Sequence, residues 1–384
     1  MKIHIVGAGP AGLYFALLMK KADPRHDLRI FERDGPDDTF GWGIVFSDRT
    51  LTGLAERDAP SHAAITARFA LWDNVDVVHR DQRISIRGNR FAGIARVEFL
   101  RILRERCREL GVEIEYHRTI GESDVAELAR ADLLIGADGA NSTVRRARTE
   151  PFQPSVVAGR NKYIWLGTPR RFDGLTLTFR PDAAGWFAAH SYRFDERRST
   201  FIVECPEPVW RAAGLAQMAE AAMCAYLGRV FEPDLGGAPL LTNNFVRWLN
   251  FPLIRNQRWF DERCVLLGDA LHTAHFSIGS GTKLALEDAI ALFDAMRDEP
   301  RVPAALERFE ATRRPVVESL QEAAQSSLEW FENFPARMHL DPLPLAYELM
   351  TRSGRIDIER LRRRDPDFAA ACERWLAAHP DGAE

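Results

Sequence analysis

The chain has 384 residues, of which 46% are hydrophobic and 28% charged, and its net charge is −4 at pH 7. This is the composition of a globular protein too long for one typical core, so we expect two domains and no general attraction for nucleic acid or an anionic membrane. The five cysteines form no CxxC pair or Cys/His cluster, and a strand begins close to residue 1, so we expect a cytoplasmic protein without metal site, disulfide framework or signal peptide.

The first predicted elements are a strand, a glycine-rich turn and a helix. An apolar run over 3–6 predicts a buried parallel strand, and a helix is predicted over about 10–20. Between them, Gly7 permits a tight turn, Gly9 lets the backbone approach a pyrophosphate, and Gly12 lets the helix pack on the sheet. Helix N-termini also attract phosphates. The predicted pyrophosphate-binding residues are Gly7, Gly9, Pro10, Ala11 and Gly12.

An acidic residue follows the next predicted strand, Asp27–Phe31. Glu32 lies 20 residues beyond Gly12, at the spacing where an acidic side chain accepts hydrogen bonds from a ribose diol. We therefore predict that Glu32 and the adjacent Arg33 belong to a nucleotide site. This fingerprint does not by itself distinguish FAD from NAD.

The chain between residues 34 and 155 is predicted to hold a long loop, a hairpin, a helix and two strands. The second of these strands leads into Asp138-Gly139. Because ligands bind at the carboxyl edge of parallel sheets, this pair is a candidate cofactor contact, although a lone Asp-Gly is also typical of a simple turn. The expected bounds are 41–48 within the loop, 75–79 and 83–86 for the hairpin, 96–110 for the helix, and 112–117 and 133–137 for the strands.

Residues 156–254 change character to short β-like runs, interrupted by one predicted helix over 215–231. A buried strand at 265–267, helices over 282–296 and 302–331, and an arginine-rich helical tail follow. The pattern predicts an α/β fold: a Rossmann-like nucleotide-binding domain with an inserted β-rich substrate domain and a C-terminal helical region. The expected bounds are 1–70, 91–155 and 255–330 for the first domain, 71–90 and 156–254 for the second, and 331–384 for the helical region.

A third glycine-containing motif follows the strand at 265–267. The carboxylate of Asp269, preceded by Gly268, is placed to hold the hydroxyls of a ribityl chain. A glycine-rich segment then opens a helix whose N-terminus stabilises negative charge on a reduced flavin ring. In this order, the three motifs predict FAD as the cofactor. The added cofactor-binding residues are Asp138, Gly139, Gly268, Asp269, Gly279, Ser280, Gly281 and Thr282.

The three motifs resemble, in order and approximate spacing, those of the class A flavoprotein monooxygenases, the group built like para-hydroxybenzoate hydroxylase. The resemblance covers residues 1–330, and Arg96 matches the arginine that contacts the flavin linkage in that group. It implies bound FAD, transient reduction by NADH or NADPH, and molecular oxygen as a substrate. An aromatic ring is then hydroxylated through a C4a-hydroperoxyflavin, from which water must be excluded. The nicotinamide preference and the oligomeric state stay open.

A closer resemblance is to the aryl-CoA hydroxylases, such as salicylyl-CoA 5-hydroxylase and 2-aminobenzoyl-CoA monooxygenase. It implies hydroxylation of an aryl-CoA thioester, with salicylyl-CoA attacked para to its hydroxyl, and it adds Gly43 to the cofactor contacts. The similar stretches are 41–48, 159–168, 275–282 and 361–368. The second and third are also similar to the hydroxylases of violacein biosynthesis, so a monooxygenase acting on an indole or free aromatic is an alternative. A non-hydroxylating flavin oxidoreductase is another, although the sequence lacks the Trp-x-Trp-x-x-Ile-Pro stretch of a halogenase.

Two residues stand where most of the wider group has prolines beside the flavin. His275 and Phe276 are therefore the predicted catalytic residues, with His275 hydrogen-bonding the phenol or the flavin-bound oxygen. The alternative is a histidine that bonds backbone within a tight loop. The expected cavity walls are Tyr163, Trp165, Trp186, Phe187, Tyr192 and Trp248. The expected contacts of CoA phosphates are Arg160, Lys162, Arg247, Arg255 and Arg258.

Overall fold

The computed structural model describes residues 1–38, 40–244, 246–279 and 281–379, and only the backbone of 47–52. The strands are β1 (Lys2–Val6), β2 (Asp27–Phe31), β3 (Gly43–Ser47), β4 (Ala70–Trp72), β5 (Val75–His79), β6 (Gln82–Ile86), β7 (Phe91–Ala95), β8 (Glu113–Glu115), β9 (Leu133–Gly136), β10 (Pro154–Thr168), β11 (Leu175–Asp182), β12 (Gly185–Arg193), β13 (Ser199–Pro206), β14 (Leu249–Asn256), β15 (Phe260–Asp261) and β16 (Cys264–Leu266). The helices are α1 (Pro10–Ala22), α2 (Asp48–Arg57), α3 (Ala59–Thr66), α4 (Arg96–Glu109), α5 (Glu122–Leu128), α6 (Thr143–Ala147), α7 (Thr149–Phe152), α8 (Glu207–Ala212), α9 (Glu220–Val230), α10 (Glu232–Leu235), α11 (Gly281–Asp298), α12 (Val302–Glu332), α13 (Pro342–Thr351), α14 (Ile358–Arg364) and α15 (Pro366–Ala378). Short 3₁₀ turns occur at Gly268–Ala270, Phe276–Ile278 and Phe334–Arg337.

A six-stranded sheet in the order β15-β16-β9-β1-β2-β8 carries the three motifs. Its pairs are parallel except for β15 with β16. Ile3, Ile5 and Ile135 are fully buried, as expected for apolar strands of a parallel sheet. Because β16, β9 and β1 run in the same direction side by side, the segments that follow them meet at one carboxyl edge, which is where α/β sheets bind ligands.

A seven-stranded sheet in the order β14-β10-β13-β12-β11-β5-β6 joins strands from two separate parts of the chain. Its pairs are antiparallel except for β11 with β5. One face packs on α8, α9 and α10 through residues such as Ile164 and Phe201. The other face packs Leu177 and Phe179 against the C-terminal helices. Since side chains alternate along a strand, the two faces have separate chemistry.

The long helix α12 connects the two sheets. Phe309 and Val317, in its first half, belong to the core of the six-stranded sheet, whereas Trp330 and Phe331 pack in the cluster under the seven-stranded sheet. Helices α13, α14 and α15 contribute to that second cluster. The C-terminal region is therefore part of the wall around the seven-stranded sheet.

Three expectations about individual elements were wrong. Residues expected in a long loop form β3, which pairs with β7 in a three-stranded sheet. The helix expected over 215–231 begins at Glu220, because Gly214 has a φ of +71° and the chain turns there after α8. The strand expected over 112–117 shortens to β8, since His117 has a φ of +57°, which a strand does not accommodate. No helix in the described part of the chain is long and apolar enough to cross a membrane.

Candidate active site

The glycine turn after β1 has no room for side chains at two of its three glycines. Gly7 has a φ of +104°, and a Cβ added there would lie 2.3 Å from the carbonyl oxygen of Ala137. A Cβ at Gly12 would lie 2.2 Å from the oxygen of Gly7. At Gly9, which precedes the first residue of α1, the nearest atom would be 3.9 Å away. The turn is thus closed on the sheet side and open at Gly9, as a pyrophosphate requires.

The carboxylate of Glu32 holds the glycine turn from the end of β2. Its Oε2 accepts a hydrogen bond from the N–H of Ala8 at 2.7 Å, and its Oε1 accepts one from the N–H of Asp34 at 3.0 Å. Each carboxylate oxygen has further lone pairs, so Glu32 retains acceptor capacity for a ribose. The neighbouring Arg33 is exposed and pairs with Asp34 at 3.2 Å.

Asp138 uses its carboxylate to start α6. It accepts hydrogen bonds from the hydroxyl of Ser142 at 2.5 Å and the N–H of Thr143 at 2.6 Å. Gly139 beside it has a φ of +78°. Arg145, which the sequence analysis did not single out, donates to the carbonyl oxygens of Ala140 at 2.5 Å and Ala270 at 2.7 Å. Arg145 therefore ties the second motif to the third.

A buried carboxylate supports the third motif from α11. Gly268, with a φ of +59°, donates its N–H to Oδ2 of Asp288 at 3.3 Å. Arg313 donates to Asp288 at 2.8 Å, and Nε2 of His272 lies 2.8 Å from the same carboxylate. Burial alone raises the pKa of Asp288, but His272 and Arg313 lower it below its ordinary value. Asp288 thus stays ionised and holds Gly268 in place.

Asp269 and Arg96 are close enough to attract each other electrostatically. Asp269 is accessible to solvent, yet the protein around its carboxyl desolvates it and raises its pKa, an effect that Arg96 partly offsets. Desolvation lowers the pKa of Arg96, and Asp269 and Tyr192 oppose that shift. Asp269 also acts on Tyr163, whose pKa is raised mainly by burial. These electrostatic interactions connect the third motif with Tyr163 and Tyr192 of the seven-stranded sheet.

Gly43 has a different role from the one predicted. Its N–H donates to Oγ1 of Thr200 at 3.0 Å, and its carbonyl oxygen accepts from the hydroxyl of Tyr192 at 2.8 Å. A Cβ at Gly43 would lie 2.6 Å from Phe194. Because both backbone groups are engaged, Gly43 docks β3 against the seven-stranded sheet and has no free amide for a cofactor.

The glycine-rich segment leaves open space before α11. Gly279 has a φ of +64° and donates its N–H to the carbonyl oxygen of Phe276 at 2.9 Å. A Cβ at Gly279 or Gly281 would meet no atom within 4 Å. Gly281 and Thr282 form the first turn of α11. Ser280 lies outside the described residues.

His275 and Phe276 lie side by side at the start of a short 3₁₀ turn, with His275 buried and Phe276 half-buried. His275 is 1% exposed, and its Nδ1 lies 2.7 Å from the hydroxyl oxygen of Ser277. The ring of Phe276 lies 5.0 Å from that of Tyr163 and 6.0 Å from that of Phe251, and these three rings form an aromatic cluster. Burial lowers the pKa of His275 to about 4, so its ring is neutral near pH 7.

A buried carboxylate and histidine, absent from the sequence analysis, lie beside this cluster. Oε1 of Glu204 accepts from Nδ2 of Asn161 at 2.9 Å, and Oε2 of Glu204 lies 3.1 Å from Nε2 of His190. Glu204 is directly opposite Tyr163 across β10 and β13, and the ring of His190 lies 5.2 Å from that of Phe276. Burial raises the pKa of Glu204, but His190 and His275 bring it below its usual value. The signal in the sequence was a titratable residue within each of two strands, His190 among the apolar residues of β12 and Glu204 after the apolar run of β13.

The candidate wall residues divide between the two faces of the sheet. Tyr163 is buried in the aromatic cluster. Trp165 packs beneath Gly41, where an added Cβ would lie 3.0 Å from the indole, and its ring lies 5.7 Å from that of Phe40. Phe187 and Trp248 pack in the opposite cluster with α8, α9 and α10, away from Tyr163. Alternation along β12 turns Phe187 to that face, whereas Trp248 precedes β14. Trp186 packs with the C-terminal helices.

Two of the candidate CoA contacts have partners within the chain. Arg160 pairs with Glu332 at 2.7 Å. The amino group of Lys162 donates to Asn250 at 2.5 Å and lies 4.8 Å above the ring of Trp210. The exposed Arg247, by contrast, is near enough to Tyr163 to oppose the upward shift of its pKa. Among the described residues, no group of three or more His, Cys, Asp or Glu side chains is arranged to hold a metal ion.

Comparison with known proteins shows relatives over nearly the whole chain. Residues 1–157 match the family model of the FAD binding domain. Salicyloyl-CoA 5-hydroxylase of a Streptomyces species is 39% identical, over 99% of this chain and 74% of that protein. Protodeoxyviolaceinate monooxygenase of Chromobacterium violaceum is 39% identical, over 88% of this chain and 91% of that protein. The 3-hydroxy-4-methyl-anthranilyl-[aryl-carrier protein] 5-monooxygenase of Streptosporangium sibiricum is 35% identical, over 93% and 95% respectively.

The fold is shared more widely. A solved structure of 2-methyl-3-hydroxypyridine-5-carboxylic acid oxygenase superposes with a TM-score of 0.71 at 17% identity, covering 94% of this chain and 97% of that one. The family match and the relatives confirm the fold, the FAD cofactor with NAD(P)H as reductant, and the reaction class that the sequence predicted. The chain belongs to the class A FAD-dependent aromatic monooxygenases, and it hydroxylates an aromatic substrate with molecular oxygen.

Proposed function

We propose that this monooxygenase hydroxylates an aryl-CoA thioester, with salicylyl-CoA attacked at the carbon para to its hydroxyl. The observation that carries the proposal is the 39% identity to salicyloyl-CoA 5-hydroxylase across 99% of the chain. A second relative, 35% identical, is named for an anthranilyl group on an aryl-carrier protein. Both names describe oxidation at position 5 of a ring whose acyl group is attached to a carrier.

The residues at the carboxyl edge of the six-stranded sheet fit FAD. The open side of Gly9 faces the N-terminus of α1 and accommodates a pyrophosphate, and Glu32 has acceptor capacity for the ribose. Asp269 is accessible for ribityl hydroxyls, with Arg96 within electrostatic reach of its carboxylate. When bound, the flavin supplies hydride acceptance from NAD(P)H, oxygen activation and transfer of one oxygen atom to the ring.

We propose that the substrate ring binds against the aromatic cluster of Tyr163, Phe251 and Phe276. Aromatic side chains pack on a planar ring and exclude water, which competes with productive oxygen transfer. Arg247 is exposed and acts electrostatically on Tyr163, so we place the exit of the acyl chain on that side of the cluster. We propose Arg247 as a contact of the CoA phosphates, in preference to Arg160, which is paired with Glu332.

His275 is the proposed catalytic residue that contacts the substrate oxygen. With a pKa of about 4, its neutral ring is a weak base. We therefore assign it a hydrogen bond to the phenol or carbonyl oxygen rather than full removal of a proton. His275→Ala should keep its FAD and its reduction by NADH, while hydroxylated product per NADH falls and hydrogen peroxide rises. His339→Ala, an exposed histidine on the C-terminal side, is the control; equal coupling in both variants would remove His275 from the mechanism.

The thioester is tested by comparing salicylyl-CoA with free salicylate. We expect kcat/KM to be far higher for the thioester and salicylate to stimulate flavin reduction only weakly. Product masses identify hydroxylation in each case. Equal kcat/KM for the two compounds would contradict the thioester proposal.

A second candidate substrate is an indole-derived pigment precursor. It is favoured by the 39% identity to protodeoxyviolaceinate monooxygenase across 88% of the chain. An indole-derived acid without CoA, added to the same assay, distinguishes the two. Turnover of that acid, with none of the aryl-CoA panel, would establish the second candidate.

A further inference from the structure

The guanidinium of Arg352 reaches the His275 loop from the end of α13. Its Nε donates to the hydroxyl oxygen of Ser327 on α12 at 2.8 Å, and its Nη2 donates to the carbonyl oxygen of Ser277 at 2.7 Å. Its Nη1 donates to the carbonyl oxygen of Leu349. In the described part of the chain, no carboxylate forms an ion pair with Arg352. All three nitrogens of the guanidinium therefore donate hydrogen bonds to uncharged oxygens.

These contacts extend into a chain of hydrogen bonds that ends on His275. Oγ of Ser327 lies 2.7 Å from Oγ of Ser277, and Oγ of Ser277 lies 2.7 Å from Nδ1 of His275. The backbone N–H of Ser277 also points at that Nδ1, at 3.4 Å. Ser327 is fully buried, and His275 is 1% exposed, so water does not readily replace these partners.

The positions of the protons along these hydrogen bonds follow from the donors at both ends. A guanidinium has donors and no acceptor, so Ser327 accepts from Arg352 and its own proton is available to Ser277. At the other end, the backbone N–H of Ser277 is directed at Nδ1 of His275, which makes that nitrogen an acceptor and favours the arrangement in which the Ser277 hydroxyl donates to it as well. A neutral imidazole carries one proton, and a nitrogen that accepts leaves that proton on the other nitrogen.

We propose that Arg352 is a positioning residue that, through Ser327 and Ser277, holds His275 in the tautomer protonated at Nε2. The inference rests on the proposed contact between His275 and substrate, and it makes that contact a donated hydrogen bond. An Nε2–H recognises an oxygen acceptor on the ring, such as a phenolate or a thioester carbonyl. Because Arg352 lies at the end of α13, this proposal also gives the C-terminal helices a role in the reaction.

The surroundings of His275 are consistent with a neutral ring in this role. The charged and titratable groups that face it are Glu204, His190 and Arg352. Glu204 favours the protonated ring, whereas His190 and Arg352 oppose it, and burial opposes it most. Phe251 and Phe276 flank the ring at 5.0 and 4.1 Å between centroids.

One substitution should reverse the donor direction of the hydrogen bonds that lead from Arg352 to His275. Ser327→Asp puts an acceptor-only group between Arg352 and Ser277, so Ser277 must donate toward α12 and then accepts from Nδ1–H of His275. Ser326→Ala is the matched control, because the neighbouring hydroxyl bonds only to the carbonyl oxygen of Glu322 within the same helix. Ser327→Ala removes the hydrogen bonds of this hydroxyl without adding a charge, so it still tests the inference if Ser327→Asp does not fold.

The FAD-loaded enzyme, labelled with ¹⁵N-histidine, is measured by NMR at pH 7, with the His275 signals assigned from His275→Gln. We expect the Nε2–H tautomer to dominate by about tenfold in the wild type and in Ser326→Ala, which is within the range of one neutral hydrogen bond. We expect it to lose that dominance in Ser327→Ala and to be the minor form in Ser327→Asp. A wild-type ring protonated at Nδ1, or an unchanged tautomer in both Ser327 variants, would overturn the inference.

The amount of hydroxylated product formed per NADH distinguishes a failure of this inference from a failure of the proposed function. Product formed per NADH should fall in step with the Nε2–H fraction, while FAD content is unchanged. If the tautomer changes as expected and coupling does not, the tautomer assignment stands and the catalytic role of His275 fails.

Discussion

Removing the carboxylate of Asp269 should weaken FAD binding without weakening the fold. The loss of a charge-assisted hydrogen bond costs about 1.5–3 kcal/mol, so Kd for FAD should rise about 10- to 150-fold in Asp269→Ala. The stability effect has the opposite sign. The surrounding protein desolvates the carboxyl of Asp269 and raises its pKa in the folded chain, so the unfolded chain binds fewer protons and ionisation at pH 7 destabilises the fold. The unfolding free energy of apo Asp269→Ala should therefore equal or exceed that of the wild type.

The assay is fluorescence titration of apoprotein with FAD, alongside urea unfolding of the same apoproteins. Asp138→Ala is the matched control, because its carboxylate caps α6 through Ser142 and Thr143. That variant should lose about 1–2 kcal/mol of unfolding free energy, the usual cost of a lost helix cap, with a smaller change in Kd. The reasoning is refuted if Asp269→Ala binds FAD with the wild-type Kd, or if it loses as much stability as Asp138→Ala.

Three further outcomes are expected. The pKa of His275 is about 4 in the folded chain and near 6.5 in the unfolded chain, so the unfolded chain takes up the proton first as the pH drops. The unfolding free energy should therefore fall by up to about 3 kcal/mol between pH 6.5 and pH 4. Urea unfolding of His275→Gln at both pH values should show a smaller fall, and an equal fall would mean that His275 is not held neutral. Gly12→Ala should lower the unfolding free energy by about 1–3 kcal/mol, because the added Cβ would lie 2.2 Å from the oxygen of Gly7. Gly281→Ala, with open space around it, should leave the unfolding free energy unchanged, and equal melting temperatures of the two variants would contradict the close packing at Gly12. Arg247→Ala should raise KM for salicylyl-CoA and leave KM for salicylate unchanged; an equal rise for both would place Arg247 at the ring rather than at the CoA phosphates.

The elements that the sequence predicted well depend on local chemistry. The glycine turn follows from Gly7 and Gly12, whose need for glycine is created by atoms only a few residues away or on the adjacent strand. The hairpin of β5 and β6 forms as expected, with Arg80 and Asp81 at φ values of +50° and +58° in its turn. Gly43 was misassigned because its contacts with Thr200 and Tyr192 come from strands more than 140 residues further along the chain.

The polar groups around His275 were not predictable for the same reason. Glu204 and His190 lie on different strands, and the antiparallel pairing of β12 and β13 brings them together beside Phe276. The connection from Arg352 to His275 spans the end of α13, the last two turns of α12 at Ser327 and the loop that carries His275 and Ser277. No sequence spacing encodes such a contact, since it depends on how α12 crosses from one sheet to the other.

The central claim is that one oxygen atom from O₂ enters the ring of an aryl-CoA at the expense of one NAD(P)H. The most direct measurement is mass spectrometry of products formed under ¹⁸O₂ from salicylyl-CoA, with NADH or NADPH consumption followed in the same reaction. We expect one ¹⁸O atom in the ring of the thioester product for each nucleotide oxidised, and little labelled product from free salicylate. Nucleotide oxidation that yields only hydrogen peroxide with every thioester, together with labelled product from a free aromatic, would contradict the account.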